Sequence, residues 1–279
     1  MQRASGGDSA AGAFTKRRDM KVLINQSTPV FGNVAANLAT IEQHCQSTQS
    51  LDIDVVVFPE LFLTGYNIGD RVEALAEEID GPSVRRLQEI AATRSVAIIT
   101  GFAERRGTEL YNSAIAIDAY GQIVGHHHKV FLFGQKEKQT YRAGVKFPVF
   151  KLAGRVCGLA ICYDIEFPEV ARDMKKNGAE IIFVPTANME PYFEVPTTLV
   201  RSRALENGVA IVYANICGME GDQRYTGLSG VVLPDGKDLA RAGRDDCVLV
   251  CDVGPGLARN VLLPSSKQLE DLDTNFRSL

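Results

Sequence analysis

A cysteine placed where an apolar run gives way to turn and helix signals stands in a nucleophile's position. In Gly158-Leu159-Ala160-Ile161-Cys162-Tyr163-Asp164-Ile165-Glu166-Phe167-Pro168-Glu169 the apolar pattern ends at Cys162, and Pro168 is set to begin a helix. A side chain on such a turn projects from the edge of a sheet, where backbone N–H groups can face an anion. Cys157 and Cys217 lie inside apolar runs and read as small core residues, whereas Asp164, Glu166 and Glu169 give Cys162 polar company. A thiol with an ordinary pKa of about 8.5 needs a base or a cation before it attacks a carbonyl at neutral pH. Two other segments offer them. Asp54-Val55-Val56-Val57-Phe58-Pro59-Glu60 ends an apolar run on a carboxylate, and burial would raise its pKa as a general base requires. If the two strands are parallel neighbours, Glu60 and Cys162 share a sheet edge. In His126-His127-His128-Lys129-Val130-Phe131-Leu132-Phe133-Gly134, Lys129 is a cation among apolar residues, suited to stabilising an oxyanion beside carboxylates.

These residues need elements to hold them. From Lys21 onward, short β-branched runs alternate with segments of helical period, the pattern of a layered α/β domain. Strands are predicted over 21–25, 55–58, 96–100, 113–117, 155–161, 181–184, 209–214, 230–233 and 248–252, which demands two sheets or one large one. Helices are predicted over 33–49, over 82–94 behind Gly81-Pro82, from Pro168 to a stop at Gly178, and over 197–207. Residues 1–20, rich in Gly, Ser and Ala, read as a disordered extension, 21–262 as one domain and 263–279 as a tail.

Composition narrows the function further. The 279 residues are 45% hydrophobic and 23% charged, ordinary for a globular chain, and 30 Lys+Arg against 34 Asp+Glu leave a net charge of −4. That balance argues against a nucleic-acid partner. No apolar run approaches the roughly 18 residues of a membrane span, so no membrane association is expected. The six cysteines lack CxxC spacing, which favours a reducing cytoplasm, and Cys247 and Cys251 have no second pair with which to hold zinc. On a strand His126 and His128 face opposite to His127, leaving at most two on one side, and no metal is expected.

Glu60, Lys129 and Cys162, in that chain order, resemble the catalytic set of the nitrilase superfamily, the carbon-nitrogen hydrolases. The likeness is carried by PELFLTGY around Glu60, HKVFLFG around Lys129 and CYDIEFPE around Cys162, and it extends from about Lys21 to Ala258. It implies a second glutamate, matched here by Glu137 in EKQTYRAG, with a positioning role. It also implies a four-layer α-β-β-α sandwich, a homodimer joined across a helical face, and no metal or organic cofactor. Within the superfamily FLTGYNIGD, CYDIEFPE and VPTANMEPY are similar to the aliphatic amidase branch that includes 5-aminopentanamidase, and Tyr163-Asp164 after the cysteine favours amide over nitrile. A small aliphatic amide is therefore the expected substrate, with Tyr66, Phe133, Tyr163 and Asn188 expected to contact it. For a substrate that carries an ammonium, Asp70, Glu190 or Glu194 would supply the counter-charge. Hydrolysis of N-carbamoyl amines, an omega-amidase activity, a nitrilase activity and a non-catalytic binding protein on the same fold are the alternatives.

Overall fold

The computed structural model describes residues 20–257 and 264–275. Its strands are β1 (Lys21–Gln26), β2 (Val55–Val57), β3 (Ala97–Arg106), β4 (Glu109–Ile117), β5 (Ile123–His128), β6 (Val149–Leu152) and β7 (Arg155–Leu159). They continue as β8 (Ile181–Thr186), β9 (Ala210–Asn215), β10 (Cys217–Glu220), β11 (Gln223–Thr226), β12 (Gly230–Val232), β13 (Asp238–Arg241) and β14 (Cys247–Asp252). The helices are α1 (Val34–Ser47), α2 (Arg71–Leu75), α3 (Pro82–Arg94), α4 (Gly134–Thr140), α5 (Pro168–Lys176), α6 (Val200–Asn207), α7 (Gly254–Leu257) and α8 (Pro264–Asn275).

Two six-stranded sheets form, in the orders β14-β1-β2-β3-β4-β5 and β13-β12-β9-β8-β7-β6, with β10 and β11 as a separate hairpin. Each has a parallel centre, β1-β2-β3 in one and β7-β8-β9 in the other, flanked by antiparallel strands. The alternation of side chains along each strand divides the apolar residues into layers. Val22, Ile24, Val55, Val57 and Ile99 of the first sheet pack against Leu159, Ile181, Phe183 and Val212 of the second. The opposite face of the first sheet buries Val56, Ile98 and Ile115 under Ile41 of α1 and Leu87 and Ile90 of α3. The opposite face of the second buries Ile182, Val184 and Ile211 under Val170 and Met174 of α5 and Val200 and Ala204 of α6. The result is two sheets between helical layers, α-β-β-α.

All nine predicted strands form, and so do the four predicted helices, although residues Val195–Leu199 ahead of α6 coil as a wider π-type turn. Three expectations need correction. The strand expected over 155–161 ends at Leu159, two residues short of the expectation and three before the cysteine. Met20, assigned to the disordered extension, is fully buried in the inter-sheet core; the rest of that extension lies outside the described residues. Part of the expected tail forms α8, which packs on α6. Among the described residues no helix is long and apolar enough to cross a membrane.

Candidate active site

Glu60 and Cys162 do not sit on neighbouring strands of one sheet, as parallel pairing would have it. Glu60 follows β2 of the first sheet and Cys162 follows β7 of the second, so the two meet across the sandwich. Both turns are tight. Leu61, next to Glu60, has φ +49°, and Cys162 itself has φ +46°, a left-handed conformation that costs a non-glycine residue about 1 kcal/mol or more. Gly101 of β3 makes the first turn fit: a Cβ there would stand 2.3 Å from the Leu61 amide nitrogen and 2.8 Å from the Glu60 Cα.

Glu60 is wholly buried, and its Oε1 accepts from Lys129 Nζ at 2.7 Å and from Asn112 Nδ2 at 2.6 Å. Its Oε2 is buried without a hydrogen-bond partner among the described residues. Lys129, equally buried, also donates to Glu137 Oε1 at 2.8 Å. An ammonium has three donors, so one remains for another acceptor. Glu137 is fixed by further donors, Tyr66 Oη at 2.6 Å on Oε1 and the Phe133 amide at 2.8 Å on Oε2. Helix α4, whose one buried residue is Glu137, exists to present that carboxylate.

Burial of the carboxyl raises Glu60 above its ordinary value, against the opposing pull of the Lys129 charge. Burial acts in the other sense on Lys129, but the Glu137 and Glu60 charges outweigh it and hold the ammonium protonated well above its usual range. Burial followed by the Glu60 charge pushes the Cys162 thiol up, with Lys129 and a backbone hydrogen bond at Ala187 working the other way. The resting group is therefore a thiol beside a base of raised pKa and a permanent cation. Cys162 is partly exposed, while Cys45, Cys157, Cys217 and Cys251 are buried.

A second set of contacts ties the lysine turn to the cysteine turn. Asp164, fully buried, accepts from His127 Nε2 at 2.8 Å and the Ile161 amide at 3.0 Å on Oδ2. Its Oδ1 accepts from the Val130 and Phe131 amides at 3.1 and 2.8 Å. One carboxylate thus clamps the residues on both sides of Lys129 to the start of the Cys162 turn. Asn112 has a like function on β4: its carbonyl accepts from the Lys129 amide at 2.8 Å while its side chain holds Glu60. Neither Asn112 nor the Asp164–His127 pair was singled out from the sequence, since the signal for each lies in a strand of distant sequence. Cys162 and Asp164 two residues apart was the one local hint.

Of the residues expected to contact substrate, Tyr66 stands with its ring centroid 6.0 Å from Lys129 Nζ. Phe133, Tyr163 and Tyr192 form an aromatic group, with Phe133 edge-on to the other two at centroid distances of 5.3 and 5.7 Å. Asn188 is occupied otherwise, its Nδ2 donating to the Tyr192 carbonyl at 2.9 Å and to Thr226 Oγ1 at 3.1 Å, so it braces this wall. Glu190 is ion-paired with Arg244.

Two facing sheets, helices outside, and a buried Glu-Lys-Glu group against a strained cysteine turn define an α-β-β-α hydrolase. The model of the family described as "Carbon-nitrogen hydrolase" matches residues 22–261. The chain is 43% identical to "Hydrolase in pqqF 5'region" of Pseudomonas protegens, over 84% of this chain and 82% of the relative. It is 34% identical to an (R)-stereoselective amidase of Pseudomonas sp over 81% and 82%, and 31% identical to the 2-oxoglutaramate amidase of Bacillus subtilis over 80% and 86%. Among solved structures, the amidase from Nesterenkonia sp. AN1 superposes with a TM-score of 0.83 at 31% identity, covering 93% of this chain and all of that one. Another structure of that amidase shows Michael addition of acrylamide at its active site cysteine. The chain belongs to the carbon-nitrogen hydrolase family, the nitrilase superfamily. It is a hydrolase acting on carbon–nitrogen bonds.

Proposed function

We propose that the protein is a cysteine-dependent amidase that converts a small aliphatic amide, 5-aminopentanamide-like in size and shape, to its carboxylic acid and ammonia. The observation that carries this reading is the Glu60 carboxylate, one oxygen bound to Lys129 and Asn112 and the other free, with its charge acting on the Cys162 thiol. Glu60 takes the thiol proton as the sulfur attacks the amide carbon, and the remaining Lys129 donor with the Tyr163 backbone N–H stabilises the oxyanion. The proton passes from Glu60 to the leaving ammonia. Glu60 then deprotonates a water, which hydrolyses the thioester, and Cys162 regains its proton with release of the acid. Glu137 holds Lys129 in place.

The Phe133, Tyr163 and Tyr192 wall and the Tyr66 ring suit an aliphatic chain. With Glu190 engaged by Arg244, Asp70 and Glu194 are the carboxylates that remain for a substrate ammonium. The amidase structures that superpose on the chain support an amide substrate. A homodimer across the helical face and a cytoplasmic location complete the proposal, the first checked by light scattering.

The test is ammonia release from 5-aminopentanamide, simple aliphatic amides, carbamoyl amines and nitriles, with Cys162→Ala as the blank. Fastest turnover on an aliphatic amide, lost in the variant, is the expected result. Fastest turnover on a carbamoyl amine or a nitrile overturns the substrate class, and undiminished turnover in Cys162→Ala overturns the mechanism.

A further inference from the structure

The three consecutive histidines divide between the faces of the first sheet. His127, opposite Ala114, points into the sandwich, while His126 and His128, opposite Ile115 and Ser113, point to the helix-covered side. Glu104 of β3 has the parity of Ile98 and Phe102, which face the same side. It therefore reaches beneath β4 to the two rings. His126 Nε2 lies 2.6 Å and His128 Nε2 3.0 Å from one and the same oxygen, Glu104 Oε2. One ligand atom from each of the three residues lies within 4.8 Å of the others.

The three groups are held in place and yet reachable. Glu104 is 3% exposed, and the His128 and His126 side chains are 17% and 32% exposed. Tyr111 stacks on the His128 ring at 4.1 Å and an interplanar angle of 20°, and the two imidazoles stand edge to face at 4.7 Å. Strand alternation leaves two histidines on this face, and the third ligand comes from a strand two positions away in the sheet.

We propose that Glu104, His126 and His128 form a site for a divalent transition-metal ion, zinc foremost, with solvent completing the coordination on the side opened by His126. Two imidazoles and a carboxylate are a borderline-soft set that suits zinc, cobalt and nickel over magnesium or calcium. Zinc would sit about 2.0–2.1 Å from each ligand atom, which places tetrahedral ligands about 3.3 Å apart. Reaching that spacing lengthens the present 2.6 and 3.0 Å contacts by about 0.7 and about 0.3 Å. The ion would pin the end of β5 to β3, next in the chain to Lys129, and so stabilise the folded state that binds it.

The test uses the full chain carrying Cys162→Ala, which removes the partly exposed thiol of the candidate active site, after EDTA treatment and dialysis. Zinc titration by calorimetry is expected to saturate at one ion per chain and to raise the melting temperature. Cobalt should give the visible absorption of a tetrahedral nitrogen–oxygen site without a sulfur-to-metal band. His126→Gln, the most exposed of the three, is expected to weaken zinc by about tenfold or more, and His126→Gln with His128→Gln to abolish saturable binding. Circular dichroism of the metal-free variants verifies that they fold. Zinc bound with unchanged affinity by the folded double variant, a cobalt–sulfur band, or no saturable binding by the parent chain overturns the proposal.

Discussion

Strand β5 serves two clusters that contain the same kinds of groups and behave differently. At its end Lys129 enters a sealed space with Glu60 and Glu137, all three 4% exposed or less, where an ammonium is shared by two carboxylates. On the opposite face of the sheet His126 and His128 share Glu104 in a space open on one side. The difference lies in which charges burial leaves unmatched. In the sealed cluster two carboxylates meet one cation, so a proton is bound more firmly than in water and can be handed back and forth with a thiol. In the open cluster one carboxylate oxygen faces two imidazoles, and ring nitrogens that converge on it can serve as ligands.

The largest effect that bears on this contrast is at the sulfur. Cys162→Ala is expected to reduce turnover to background in the ammonia assay while leaving the urea unfolding midpoint close to that of the parent, since the thiol is not a structural prop. Glu60→Gln keeps the shape of the sealed cluster but removes its base, and kcat is expected to fall by about 10²–10⁴-fold. If the loss is under tenfold, the proton goes elsewhere and the sealed cluster is structural.

Asp164→Ala should rank next, through the clamp rather than the chemistry. Removing a carboxylate that satisfies His127 and three backbone amides leaves those donors buried and unpaired, and a loss of about 3–5 kcal/mol is expected by urea unfolding. Asp164→Asn retains the acceptor for part of that set and should recover a share of the stability; equal losses from the two variants would show that volume, not hydrogen bonding, was removed.

The pH profile sharpens the comparison further. Glu60 must be ionised to accept the thiol proton, and its pKa is raised from an ordinary 4.5. On acidification kcat/KM is therefore expected to fall through an apparent pKa above that value, and the limb should vanish in the residual activity of Glu60→Gln. Lys129 is raised above an ordinary 10.5, so no loss on the alkaline side arises from it below that pH. The smallest effect belongs to the open cluster: His126→Gln without metal should alter stability by about 0.5 kcal/mol or less, because a third of its side chain is already in water.

Much of this was legible in the chain, and the portions that were not share a cause. The central strands announced themselves through apolar β-branched runs, and α3 through Pro82 and its helical spacing. β6, β10, β11 and β13 are four residues each and mixed in polarity, so they take their state from the strand beside them. Helix α4, GQKEKQT, has one buried side chain and no apolar stripe to find. Glu60, Lys129, Glu137 and Cys162 stood out because a charged or nucleophilic residue ending an apolar run contradicts its surroundings. Asn112 and Asp164 contradict nothing locally.

The sequence by itself determined the alternation of strands and helices, the cysteine at a strand-to-helix turn, and the family to which the chain belongs, because apolar period, turn residues and motif order are properties of neighbours along the chain. Only the tertiary structure decided that Glu60 and Cys162 meet from different sheets, that Asp164 joins the lysine turn to the cysteine turn, and that Glu104 lies under His126 and His128. Those contacts span 22 to 102 residues in the sequence. They are set by sheet order, strand parity and the stacking of one sheet on the other, quantities that no window of sequence contains.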